Sequence, residues 1–130
     1  MIDRYLGRFS PQIYALLRIV SGFLFLLHGT QKFFNVPATG KPPMPLNAMM
    51  TAAGVIEIIA GVMILIGLFA SLAAFIASGE MAVAYFMAHA KDGFWPIQNK
   101  GELAVLYCFV FLYMACRGGG RYSVGRGAMD

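Results

Sequence analysis

Charge is what this sequence has least of. Only 12% of its 130 residues are Asp, Glu, Lys or Arg, while 59% are hydrophobic. A soluble domain carries about 25% charged residues. Half that charge cannot coat a water-soluble surface this small, so the excess apolar surface must face lipid. The chain reads as a single-domain integral membrane protein whose first partner is the bilayer. The net charge of +4 comes from six arginines and four lysines that form no run. Most of them flank apolar segments, which suits lipid headgroups and excludes a nucleic-acid role. Cysteine is also scarce. Cys108 and Cys116 are the two present. Eight apart on one helix, they lie about 12 Å apart along its axis, beyond disulfide reach. There is no CxxC, so neither a thioredoxin-like centre nor a metal site is expected. The sequence also lacks a dinucleotide fingerprint and iron–sulfur cysteine spacing.

What is present is a series of long apolar runs. Ser10-Pro11 reads as a helix start, and the first helix is expected over about 12–34. Arg4 and Arg8 ahead of it superficially resemble a signal peptide, but the apolar run is too long and no small-residue cleavage site follows. The loop NVPATGKPPMPL holds four of the six prolines and is expected to be ordered but non-helical. The nearly continuous apolar stretch from Ala52 to Ala90 would be about 58 Å long as one helix, roughly twice the bilayer core. It must turn back, and Gly67-Leu68-Phe69-Ala70-Ser71 is the place. Helices are then expected over about 47–68 and 71–90, with a fourth over about 101–116 after the loop KDGFWPIQNK. The expected fold is an all-α, four-helix transmembrane bundle with both termini on one side. Arg4, Arg8, Arg117, Arg121 and Arg126 lie on the terminal side, against Lys32, Lys41, Lys91 and Lys100 on the other. That bias favours cytoplasmic termini. The tail from 117 to 130 is glycine-rich and polar. It is expected to need no fold of its own, and its RGGGR, which opens no helix, reads as a basic membrane-surface segment rather than a phosphate site.

The few polar residues inside these runs share faces. Arg18, Gly22, Phe25, Gly29 and Lys32 form one helical stripe, and Gly54, Glu57 and Gly61 another. Ala73, Ala77, Glu80 and Ala84 form a third. Small residues mark close helix approach in membranes, so these charges are expected to face the bundle interior. Glu57 and Glu80 fall near mid-span, within side-chain reach of Arg18. An ionised group at the centre of a span costs about 2.5–3.5 kcal/mol even on a lenient scale. The three are therefore expected to form one cluster, with Arg18 neutralising one carboxylate and the other holding a proton. They are the candidate catalytic residues, or else a structural polar core that fixes helix register. A second, outer layer gathers His28, Gln31, Lys32, His89, Asn99 and Glu102 beneath Trp95. It is the candidate ligand-binding layer, unless His28 and Lys32 simply snorkel to the interface.

The segments HGTQKFF, AGVIEIIAGVMILIGLF, EMAVAYFMAH, GFWPIQNKGELAVLYCFVFLYMACRG and GGGRYS resemble the DoxX family of small bacterial membrane proteins. The resemblance runs from about Leu16 to Ser123. It implies a four-helix bundle in the bacterial inner membrane, related to DoxD-like subunits of thiosulfate:quinone oxidoreductase. The family's recurrent polar residues fall on His28, Lys32, Glu57, Glu80, His89, Asn99 and Glu102 of this chain.

Two function classes follow. One is an accessory or quinone-interacting subunit of a membrane redox system. In it His28, Lys32 and His89 donate to the quinone head, Glu57 and Glu80 relay protons, and a soluble or membrane redox protein supplies electrons. The resemblance implies no covalent cofactor. The other class is a non-enzymatic assembly partner, or a small transporter or proton-conducting module, which as four short helices would act as a homo-oligomer. A haem held by the two histidines is disfavoured, because Lys32 crowds the first-helix site.

Overall fold

The computed structural model describes residues 1–38, 40 and 45–124. Thr39 and residues 41–44 of the proline-rich loop, and residues 125–130 of the tail, lie outside them. The described residues are helical, with no strand among them. A short α1 (Ile2–Leu6) runs through a 3₁₀ turn into α2 (Ser10–Phe34). Then come α3 (Ala48–Ile66), α4 (Ala70–Ala84), α5 (Pro96–Asn99) and α6 (Glu102–Arg117). The helical path from Ile2 to Phe34, α3, and the path from Ala70 to Asp92 are each long and apolar enough to cross a membrane. At 16 residues, α6 is shorter.

The helix ends follow from local chemistry. Asn47 caps α3, its side chain accepting from Met50 N at 2.8 Å. Gly67 stops α3 in the left-handed region at φ 77°, and Leu68 N returns to Met63 O at 2.8 Å. That closure satisfies carbonyls the helix end would otherwise strand. Phe69 is also left-handed, and α4 begins at once. The turn back thus falls within the expected pentapeptide. After α4 the chain passes through a π-helical turn at Tyr85–His89 and a 3₁₀ turn at Ala90–Asp92.

Two helix pairs make up the body, α2 on α3 and α4 on α6. The first pair meets through glycine. A Cβ on Gly61 would sit 2.9 Å from the Leu26 backbone, and one on Gly29 2.9 Å from Gly54 O. No side chain could stand between these backbones. The second pair meets through Ala73, Ala74 and Ala77 on α4 and Ala104, Phe111 and Met114 on α6, all buried. Ser78 Oγ donates across it to Cys108 O at 2.7 Å. An aromatic cluster joins the pairs. Phe25 of α2 lies 4.9 Å from Phe111 and 5.7 Å from Tyr107, ring centre to ring centre. Most other large apolar side chains, among them Leu16, Phe23, Val55, Phe75 and Leu106, are exposed. That distribution is one a bilayer solvates and water does not.

The tail departs from the sequence expectation as far as it is described. Gly118 and Gly119 are buried, and Val124 N donates to Ile66 O at 2.9 Å. The reason is Arg18. Its guanidinium is fully buried and donates to Gly119 O, Arg121 O, Tyr122 O and Ser123 Oγ at 2.5–3.0 Å. Its Nε reaches Ile64 O at 3.0 Å, in the last turn of α3. A buried cation must have its donors met. Here backbone carbonyls meet them, and glycines let the chain come close enough. Tyr14 OH adds a hydrogen bond to Gly118 O at 2.5 Å.

Candidate functional site

Glu57 sits at the middle of α3 and is 2% exposed. Its partner is Lys32 of α2, Nζ to Oε1 at 2.6 Å. Arg18 was expected there. Instead it faces the terminal end of the bundle and holds the tail, while Lys32, expected in the outer layer, reaches inward along its four-carbon stem. Lysine side chains are long enough to place the ammonium away from their own helical level. The two expected layers therefore join through one ion pair.

Glu80 of α4 completes the group. Its carboxyl reaches that of Glu57, and its Oε1 is buried with no hydrogen-bond partner among the described residues. One ammonium thus faces two carboxyls. A buried polar atom left without a partner costs about 1–3 kcal/mol, so each such atom in a folded protein calls for an explanation.

The explanation lies in the space beside it. Lys32, Glu57 and Glu80 line a cavity of about 730 Å³. Its α3 lining runs from Met49 to Glu57 and its α4-side lining from Ile76 to His89. The cavity therefore occupies the half of the α3–α4 hairpin away from the tight turn. Most of the wall is apolar, with polar groups converging from different helices: His28, His89, Lys100 and Tyr107 besides the three already named. Apolar walls with a few convergent polar groups are the usual form of a small-molecule site.

The surrounding residues fix this geometry. His28 packs edge-on against Tyr107 at 5.9 Å. Tyr107 stacks on Phe111 at 5.4 Å. His89 leaves the π-helical turn, and its Nδ1 lies 3.1 Å from Asn99 O. A carbonyl can only accept, so Nδ1 carries the proton in that contact. Asn99 is 4% exposed and knots the loop after α4. Its Nδ2 donates to Tyr85 OH at 3.0 Å and Gly93 O at 2.7 Å, and its Oδ1 accepts from Gly101 N at 2.8 Å. Tyr85 OH in turn donates to Phe94 O.

Of the sequence-derived candidates, His28, Lys32, Glu57, Glu80 and His89 come together on the cavity. Arg18 does not line it. Gln31 donates to Pro37 O at 3.2 Å in the following loop. Trp95 is 62% exposed and Glu102 is exposed at the start of α6, both off the cavity. Asn99 acts one step back, by holding His89. Tyr107 was missed. In the sequence it reads as one aromatic of a core stripe, and the cue available was a hydroxyl among purely apolar neighbours. Lys100, which the sequence offers only as one of the cations on the side away from the termini, lines the cavity as well.

A family model described as DoxX matches residues 13–90. The chain belongs to the DoxX family. The matched segment carries His28, Lys32, Glu57, Glu80 and His89, so the carboxyl–ammonium group lies wholly within it. An uncharacterized protein of Haemophilus influenzae (strain ATCC 51907 / DSM 11121 / KW20 / Rd) is 47% identical over 120 residues, covering 88% of this chain and 90% of the relative. No solved structure matches this DoxX protein. Family and apolar helices together make it a multi-pass membrane protein.

Proposed function

We propose that this DoxX protein is a quinone-interacting accessory subunit of a membrane redox system, spanning the bacterial inner membrane four times. The observation that carries this reading is the cavity itself, where an apolar wall surrounds Lys32, Glu57, Glu80, His28 and His89. A quinone joins a polar ring to an apolar tail, and the cavity offers surface for both. When bound, the quinone supplies two-electron, two-proton redox chemistry. The chain's own residues bind and orient the ring. Lys32, Tyr107 and His28 are the donors available to ring oxygens; His89 gives its Nδ1–H to Asn99 O instead. The Glu57–Glu80 pair holds a proton, because one ammonium cannot neutralise two carboxylates in low dielectric. Electrons come from a partner redox protein, since the sequence carries no motif for a redox centre of its own.

The four-span reading takes α6, about 24 Å long by its 16 residues, as the fourth crossing. Both termini then share a side with the exposed Arg4, Arg8, Arg117 and Arg121. The opposite end shows Lys91 and Lys100, with Lys41 outside the described residues. Lys32 drops out of the comparison because it is paired inside. The positive-inside preference thus supports cytoplasmic termini more strongly than the bare sequence does.

The test is calorimetric titration of the purified protein with decylubiquinone, with photocrosslinking of an azido analogue to locate it. Saturable binding is expected, with crosslinks on α3 and α4 peptides. No saturable heat, or crosslinks confined to the outer face of α6, overturns the reading.

A further inference from the structure

Donors on the cavity wall serve either redox form of a quinone, because a carbonyl and a hydroxyl both accept. What separates the two forms is an acceptor. Glu80 Oε1 is such an atom, buried and unpartnered among the described residues. With no hydrogen-bond partner of its own, Oε1 offers its lone pairs to a donor. His89 adds a second acceptor. Its Nδ1–H is committed to Asn99 O at 3.1 Å, so in the neutral ring Nε2 is the acceptor. Both residues line the cavity. A quinol brings two hydroxyl donors. A quinone brings two carbonyl oxygens, and set against Oε1 these would place lone pair on lone pair.

We infer that the cavity selects the reduced, hydroxyl-bearing form of its ligand, a quinol over the matching quinone, with Glu80 Oε1 as the discriminating acceptor. The inference rests on the quinone-site reading above. Leaving a buried acceptor unmet is the strongest general means of rejecting an analogue that lacks the donor.

The experiment compares decylubiquinol and decylubiquinone under anaerobic conditions, by calorimetry on the full chain in detergent. The quinol is expected to bind about tenfold more tightly, the factor one well-made hydrogen bond supplies. Tenfold corresponds to a rise of about 30 mV in the potential of the bound two-electron couple. In Glu80→Leu the quinol is expected to lose most of its advantage over the quinone, the remainder being what His89 Nε2 supplies. Glu80→Gln keeps a side-chain oxygen and is expected to keep the preference. Equal or tighter binding of the quinone by the unmodified protein overturns the inference and leaves the site reading standing. Binding of neither form overturns both. The comparison on the unmodified protein requires no variant to fold.

Discussion

Replacing Lys32 by methionine removes the only cation paired with Glu57 among the described residues and keeps most of the stem volume. The ion pair is short, 2.6 Å, and its acid is 2% exposed while the lysine side chain is 20% exposed. At an effective dielectric constant of about 20, two unit charges at this distance attract by about 6 kcal/mol. Desolvation of both groups offsets much of that. The measurable quantity is the cost of stranding one partner, about 3–5 kcal/mol for a buried pair. The two halves are unequal. Lys32→Met leaves a buried acid with no cation. Glu57→Gln leaves an ammonium that can swing toward the membrane surface. Lys32→Met should therefore cost about 3–5 kcal/mol, Glu57→Gln about 1–2 kcal/mol, and Lys32→Met/Glu57→Gln should recover much of the Lys32→Met loss. Equilibrium unfolding in mixed micelles, run as a double-mutant cycle, gives all three values. A Lys32→Met protein within 0.5 kcal/mol of the parent on that order-of-magnitude scale, or a double variant no better than the worse single one, refutes the reasoning.

Four further outcomes follow from the packing. Gly61→Ala should drive α2 and α3 apart and cost about 1–3 kcal/mol, since the new carbon meets the Leu26 backbone at 2.9 Å. Gly79→Ala, where nothing lies within 4 Å, should be neutral or stabilise by up to about 1 kcal/mol; thermal unfolding of both variants in one detergent gives the contrast, and equal effects would discount the close approach. Arg18→Gln should release residues 118–124, read as faster hydrogen exchange at Val124 and faster trypsin cleavage after Arg121, with helicity unchanged. Asn99→Ala should cost about 1–3 kcal/mol by stranding Gly101 N and Gly93 O; circular dichroism melts check the stability, and an unchanged melting temperature would remove Asn99 from its structural role.

The stripes were readable because period and residue size are properties of sequence. Arg18, Gly22, Phe25 and Gly29 are all buried, as are Gly54, Glu57 and Gly61. The partner of Arg18 was not readable. Charge invites a charged partner in a sequence, yet most of the acceptors here are main-chain carbonyls, which every residue carries and no letter advertises. For the same reason the tail looked featureless: its glycines offer no side chain, and its backbone makes the contacts. Lys32 was misplaced by level because a helical position fixes a Cα and not the end of a flexible side chain. Trp95 fitted the headgroup boundary, and its exposure agrees with that, but a boundary residue need not cover a cavity.

The Arg18 clasp has a consequence for biogenesis. Every carbonyl that residues 119–122 contribute is synthesised after all of the long helices. During translation the first helix therefore carries a guanidinium whose berth has not yet been made. Maturation closes only when the final segment threads back to it. A chain interrupted after α6 would offer the Arg18 guanidinium the α3 carbonyls of Ile64 and Leu65 but none of those from the tail, so the last residues made complete the berth of a side chain made among the first.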